Sequence, residues 1–369
     1  MKTDVRPPRV KMSRHESPSQ AACATSPSAD PTRQGARDGT HPSGRPSEPI
    51  LYLHIGLPKA ASSYLHGHVF PQLMPGQYLM PGARNAKLPA YRYRPNRYGV
   101  RRFSDAFQRN PGFWGDHGDA FLRQFLSPFL AGGHPEQSVL ISEEAITRLN
   151  HFGIRAMPDA FERGRLRDNL AAFDQCARRM GFARTRILLM IRRQDLLLAS
   201  SYVQLSRKII GASQQDFERR VERLISGGTV GPGHTFYPME YAKLHECLTS
   251  VLPAQDVCFL PIESLAGAFD EFTHTIRRFL NAKSVATELS RRPSNTRSMG
   301  RNRWALRPLL AFKSPKGALE ITIPPALTGR DSVIELRPDM AENIRRHYAE
   351  GNRQVADAIT ADLGAYGYY

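Results

Sequence analysis

Residues 50–63, ILYLHIGLPKAASS, constrain this chain more than any other stretch. Ile50 to Ile55 reads as a buried strand that runs into a tight turn at Gly56. The turn carries Lys59 and a pair of hydroxyls, Ser62 and Ser63, and Tyr64 and Leu65 then open a helix. A strand, a turn of small residues and a helix N-terminus together make an anion cradle. Free backbone N–H groups and the positive end of the helix dipole both face the turn. Lys59 adds a mobile cation and the serines add donors, so the stretch reads as a phosphate or sulfate site.

The Walker A loop needs G-x-x-x-x-G-K-[ST], with the lysine directly before the hydroxyl that holds magnesium. Gly56 and Ser63 sit at the outer spacing, but Ala61 replaces the second glycine and Ser62 occupies the lysine position. The lysine lies three places earlier, at Lys59. This displacement argues against an ordinary ATP or GTP loop.

A second segment, RILLMIRRQDLLLASSYVQLSR over residues 186–207, begins with the continuous apolar run Ile187–Ile191, as in a strand buried on both faces of a parallel sheet. Arg192 follows at once. Leu196, Leu197, Ala199, Tyr202, Val203 and Leu205 then form an apolar helical face. Eight residues, Arg192 to Ser200, would span about 12 Å along a continuous helix. Arg192 precedes the helix and its side chain is long, so both groups can reach one anion.

The pattern H-I-G-x-P-K-x-x-S-S-x-L, His54 to Leu65, resembles the 5′-phosphosulfate loop of sulfotransferases, which use 3′-phosphoadenosine 5′-phosphosulfate. Arg192, Ser200 and Tyr202 match the R-x(7)-S-x-Y form of that family's 3′-phosphate site, and the run Arg192–Asp195 resembles its bacterial members. The resemblance spans residues 50–290 through a few short motifs. It implies that Lys59, Ala60, Ala61, Ser62 and Ser63 hold the 5′-phosphosulfate, and that Arg192 and Ser200 hold the 3′-phosphate. A planar guanidinium fork and a short hydroxyl donor suit that second phosphate. No metal is implied, because lysine and backbone donors take the place of magnesium. The family has glycine where this chain has Ala61, which asks for a turn without positive φ there.

The strand at 138–144, SVLISEE, ends in two carboxylates. By the same resemblance Glu144 is the general base that takes the acceptor's proton, with Glu143 or a histidine as alternatives. The competing reading puts Glu143 and Glu144 in the first turn of a helix, where acids favour the dipole. His54 reads as a packed, hydrogen-bonded strand residue, and His66 and His68 as structural or exposed. The strand Val257–Ile262 ends at Glu263, which is expected to cap the next helix or to orient the adenine-side loop. Residues 291–303 read as a basic loop that, by resemblance, covers the nucleotide through Asn295, Arg297 and Ser298. In residues 75–125, Tyr91, Tyr93, Tyr98 and Trp114 either stack on acceptor sugars or pack on the core.

Strands near 50–55, 138–142, 187–191 and 257–262 alternate with helical stretches. The fold expected is α/β, a three-layer sandwich with a central parallel sheet, like that of P-loop NTPases and sulfotransferases. Residues 1–49 are rich in Pro, Ser, Arg and Gly and are expected to be disordered, leaving 50–369 as the catalytic domain with acceptor-side loops near 75–125. The first residues lack a signal-peptide apolar region, and no run is long enough to span a membrane, so a cytoplasmic protein is expected. Cys23, Cys176, Cys247 and Cys258 show no metal or disulfide spacing and read as free thiols.

The formal charge of +17 suits a polyanionic nucleotide. The acceptor expected is a hydroxyl or amine of a carbohydrate, glycolipid or small metabolite, with a membrane-surface acceptor left open. Two alternatives remain: a P-loop kinase with an altered loop, and a non-catalytic basic protein that binds nucleic acid. No recognisable nucleic-acid motif accompanies the charge.

Overall fold

The computed structural model describes residues 48–57, 59–79, 103–108, 112–147, 152, 161–226, 235–282, 289, 302–314, 319–359 and 361–369. Its centre is a five-stranded sheet of β1 (Ile50–His54), β2 (Tyr78–Leu79), β3 (Val139–Ser142), β4 (Arg184–Ile191) and β5 (Val257–Pro261). The order across the sheet is β2-β3-β1-β4-β5, and every neighbouring pair is parallel. Helices flank this sheet, so the expected α/β architecture is the one observed. All five residues of β1 and all four of β3 are buried, which explains why both read as unbroken apolar runs. β4 begins three residues earlier than its apolar run, at Arg184, where it pairs with Ile50. The two-residue β2 has no sequence signal of its own and is recruited by pairing with Leu140 and Ile141 of β3.

The strand order fixes where a ligand can bind. From β1 the chain moves outward to β2 and β3 on one side, then crosses β1 to reach β4 and β5 on the other. β1 therefore stands at a topological switch point, and the loops after β1, β3 and β4 open on the same carboxyl edge. The loop bearing Lys59, the acids Glu143 and Glu144, and Arg192 are those three loops.

The helix Arg163–Arg179 buries Leu166, Leu170, Phe173 and Ala177. It packs on the helix Phe113–Leu126, where Trp114 meets Phe173 at 5.0 Å and Phe107 at 5.2 Å between ring centroids. Trp114 thus belongs to the core and is not an acceptor-facing ring. Tyr91, Tyr93, Tyr98 and residues 291–301 lie outside the described residues, as does the expected disorder of residues 1–47. Cys176 and Cys247 are buried free thiols, and burial pushes them up to about 12 and about 11. Among the described residues, no helix is long and apolar enough to cross a membrane.

Candidate functional site

β1 ends at His54, and Ile55–Leu57 lead into a helical stretch that starts at Ser62. That stretch contains a π-helical segment, Leu65–Val69, before closing at Leu73. Gly56 is required by space. A Cβ there would lie 2.9 Å from Ser62 Oγ, 3.0 Å from Glu144 Cγ and 3.2 Å from His54 Cε1. The loop is therefore wrapped tightly around Gly56, with Ser62 from one side and Glu144 from another. The Thr147 hydroxyl donates to the Gly56 carbonyl and pins the loop to the segment after β3.

Lys59 and Ala61 both adopt left-handed backbone, with φ 69° and 60°. This corrects the expectation that alanine at 61 excludes positive φ. The Ala60 N–H between them donates to the Leu57 carbonyl at 3.2 Å, closing a tight turn before the helix. The geometry is kept although an L-residue in this region costs about 1–2 kcal/mol. Ser62 and Ser63 then open the helix, where N–H groups lack an intrahelical acceptor. Ser62 Oγ is buried and has no hydrogen-bond partner among the described residues. Ser63 is exposed and Ala60 is fully buried.

Arg192 joins the two halves of the site. Its Nη1 donates to the Lys59 carbonyl at 2.9 Å and to Ser200 Oγ at 3.1 Å. The arginine that leaves β4 thus spans from the loop after β1 to the helix Gln194–Leu205. Burial lowers the Arg192 pKa, opposed by Glu263, Tyr241 and Asp195 nearby. Guanidinium remains charged at neutral pH, and a mostly buried one favours an anion. Its backbone is clamped too: the Tyr241 hydroxyl donates to the Arg192 carbonyl, and the Arg192 N–H donates to Tyr241 Oη at 3.2 Å.

The rest of the run Arg192–Asp195 is structural. Arg193 turns back onto the fully buried Asp195 at 2.6 Å, which also takes Arg345 at 3.4 Å. Gln194 bonds Asn352 at 2.7 Å. Tyr202, the third residue of the R-x(7)-S-x-Y pattern, donates to Asp216 at 2.8 Å and is fully buried, so it packs the helix.

Glu263 does not cap the following helix, contrary to the simpler expectation. Its side chain makes no capping bond; Oε1 accepts from the Arg193 N–H at 3.1 Å and Oε2 accepts from Tyr368 at 2.8 Å. Burial raises its pKa, against the hydrogen bonds from Arg193 and Tyr368. Tyr368 is fully buried, and its carbonyl accepts from Asn352 at 2.9 Å. This C-terminal wall behind Arg192 is assembled by contacts between distant segments, 70 residues apart for Arg193 and Glu263 and 105 for Glu263 and Tyr368, so its role is not written in any one stretch.

Beneath the loop lies a clasp of two histidines. His54 Nδ1 and His66 Nε2 each stand 2.7 Å from Ser142 Oγ. A hydroxyl has one proton, so where Ser142 donates to one ring and accepts from the other, the accepting ring is neutral, and burial disfavours charge on both. Burial lowers His54 to about 3, helped by His66, and lowers His66 to about 4. The reading of His54 as a packed strand residue holds, and His66 is structural. Glu143 Oε1 accepts from the Ala145 N–H at 3.0 Å, capping the short 3-10 helix Glu144–Thr147. Glu144, at the start of that helix, is the acid whose side chain lies against Gly56. Among the described residues, no three His, Cys, Asp or Glu side chains gather in a way that would hold a metal.

No protein-family model matches the chain, and no curated protein matches it. Solved structures do. A sulfotransferase from Alicyclobacillus acidocaldarius is 15% identical with a TM-score of 0.43, covering 88% of this chain and 99% of that one. A mouse sulfotransferase complexed with PAP is 9% identical with a TM-score of 0.32, covering 64% and 60%. A sulfotransferase domain from the curacin biosynthetic pathway is 12% identical with a TM-score of 0.34, covering 84% and 98%. These likenesses, at TM-scores below 0.5, describe the chain path and carry no weight for the residues of the site.

Proposed function

We propose that this protein is a sulfotransferase that moves the sulfuryl group of 3′-phosphoadenosine 5′-phosphosulfate to a hydroxyl or amine. The observation that carries this reading is the Arg192 guanidinium bonded at once to the Lys59 carbonyl and Ser200 Oγ. Two anion-binding elements are thereby held side by side, which a donor with a 5′-phosphosulfate and a 3′-phosphate needs and ATP does not.

The donor supplies an activated sulfur whose bond to the 5′-phosphate oxygen breaks. Lys59 and the N–H groups of Ala61–Ser63 neutralise the charge left on that oxygen. The buried hydroxyl of Ser62, without a partner of its own, fits a donor oxygen. Arg192 and Ser200 take the 3′-phosphate. Glu144, against Gly56, accepts the proton that the acceptor loses as its oxygen or nitrogen bonds to sulfur. Lysine, guanidinium and oriented N–H groups supply the positive charge for this transfer. The acceptor class, a carbohydrate, glycolipid or small metabolite, is the open half of the proposal.

The test is transfer of label from sulfur-labelled donor to an acceptor panel. Lys59→Ala and Arg192→Ala should each abolish transfer while circular dichroism and melting stay close to wild type. Near-normal turnover by either variant would overturn the site assignment.

A further inference from the structure

Six large apolar side chains are exposed among the described residues, and five are Ile210, Phe312, Leu319, Ile321 and Leu327. Four of these belong to one stretch of chain. Strands Leu309–Lys313 and Glu320–Ile323 form an antiparallel pair that joins no other strand among the described residues. Phe312 stands directly opposite Ile321, so their side chains share a face. The Ser314 N–H donates to the Leu319 carbonyl at 2.8 Å and holds Leu319 at the hairpin's end. Leu327, 78% exposed, closes the short 3-10 helix that follows.

Ile210, 80% exposed, lies four residues after Ser206, which is bonded to the base of the hairpin. The Arg307 N–H, just before the hairpin, donates to Ser206 Oγ at 2.9 Å. The Arg330 guanidinium, just after it, donates to the Ser206 carbonyl at 2.6 Å and the Arg307 carbonyl at 3.2 Å. Segment 206–210 is thus seated against both ends of the hairpin segment.

The surroundings are basic. Arg207 and Lys208 precede Ile210 and Arg303 and Arg307 precede the hairpin, against Asp331 and Glu335 just after it; of these Lys208, Arg303, Asp331 and Glu335 are exposed. Exposed apolar side chains set among basic ones suit an anionic lipid surface. A second copy suits them poorly, since a twofold interface would press two basic faces together.

We propose that this face docks the protein peripherally on an anionic membrane. Ile210, Phe312, Ile321 and Leu327 enter the boundary between headgroups and acyl chains, and the basic residues supply the long-range attraction. The helix carrying Ser200 continues into Ser206–Lys208, roughly 12 Å of rise from Ser200 to Lys208. Docking therefore brings the candidate site near the bilayer. It does not depend on the donor reading, and its test reads partition and not turnover.

The experiment floats the full chain with phosphatidylcholine vesicles containing roughly one-third phosphatidylserine, and with pure phosphatidylcholine vesicles. Capture by the anionic vesicles alone is expected. The variant Ile210→Ser/Phe312→Ser/Leu327→Ser should partition about tenfold more weakly. Its melting temperature should stay unchanged, because these side chains are exposed. Ile210→Ser alone, outside the hairpin, should weaken partition by a smaller factor. Failure of the wild type to bind anionic vesicles would overturn the proposal. So would apolar variants that bind like wild type, or equal capture by neutral vesicles. A wild-type dimer that becomes monomeric in the triple variant, with vesicle binding unchanged, would reassign the face to self-association.

Discussion

Acid should destabilise this protein through the clasp of His54, Ser142 and His66, and the size of the effect follows from the burial of the two rings. His54 is lowered to about 3 and His66 to about 4, from an ordinary value of 6.5. Because the folded values are depressed, the unfolded chain takes up protons first as pH falls. The stability contributed by the neutral rings is complete above pH 6.5 and is lost as pH drops toward the folded values. For one such ring, going from about pH 7 to about pH 5 costs on the order of 2 kcal/mol. Each ring is depressed chiefly by its own burial, so together they cost roughly 3–4 kcal/mol. Domains of this kind have about 5–15 kcal/mol in total, so the loss should be plain in urea unfolding followed by far-UV circular dichroism. His66→Gln, which keeps a polar side chain at the position, should show about half the wild-type fall across that interval. An equally steep fall in His66→Gln would refute the assignment of the acid transition to this clasp.

Two other perturbations probe the loop and the second anion element. Ala61→Gly removes an L-residue from left-handed backbone at φ 60°, so the variant should gain up to about 1 kcal/mol, read as a higher melting temperature. A lower melting temperature would show that the loop does not keep this conformation in solution. Ser200→Ala removes one acceptor from Arg192 and one donor to the 3′-phosphate; affinity for adenosine 3′,5′-bisphosphate should fall about tenfold, or ~1.4 kcal/mol, with the fold intact. Unchanged affinity would place the 3′-phosphate elsewhere.

Much of the architecture was legible because parallel strands buried on both faces leave unbroken apolar runs. The runs at 50–55, 138–142 and 187–191 stand out for that reason. β2 does not, because two residues carry no periodicity and the strand forms only when β3 offers it an edge. The spacing from Arg192 to Ser200 anticipated a pair that does meet. Local preference for α or β backbone gives the wrong expectation at Ala61, because the packing around Gly56 outweighs it. Glu263 was read as a helix cap for the same reason: the partners that claim its carboxylate, Arg193 and Tyr368, are 70 and 105 residues away. Pro338 with Met340, Ile344 and Tyr348 did carry a local helix signature, and the helix Pro338–Ile359 supplies Asn352 behind the site. The hairpin at 309–323 has the weakest signal, since Phe312, Leu319 and Ile321 are exposed instead of marking a core.

The central claim is that Lys59 with its loop and Arg192 with Ser200 form one site for a nucleotide bearing both 5′ and 3′ anions. Titration calorimetry with adenosine 3′,5′-bisphosphate in the presence of EDTA, with ATP as the control, tests it most directly. The account predicts tight, metal-independent binding of the bisphosphate, weak binding of ATP, and loss of the bisphosphate signal in Arg192→Ala. Preference for ATP, a requirement for magnesium, or no binding of the bisphosphate would contradict it.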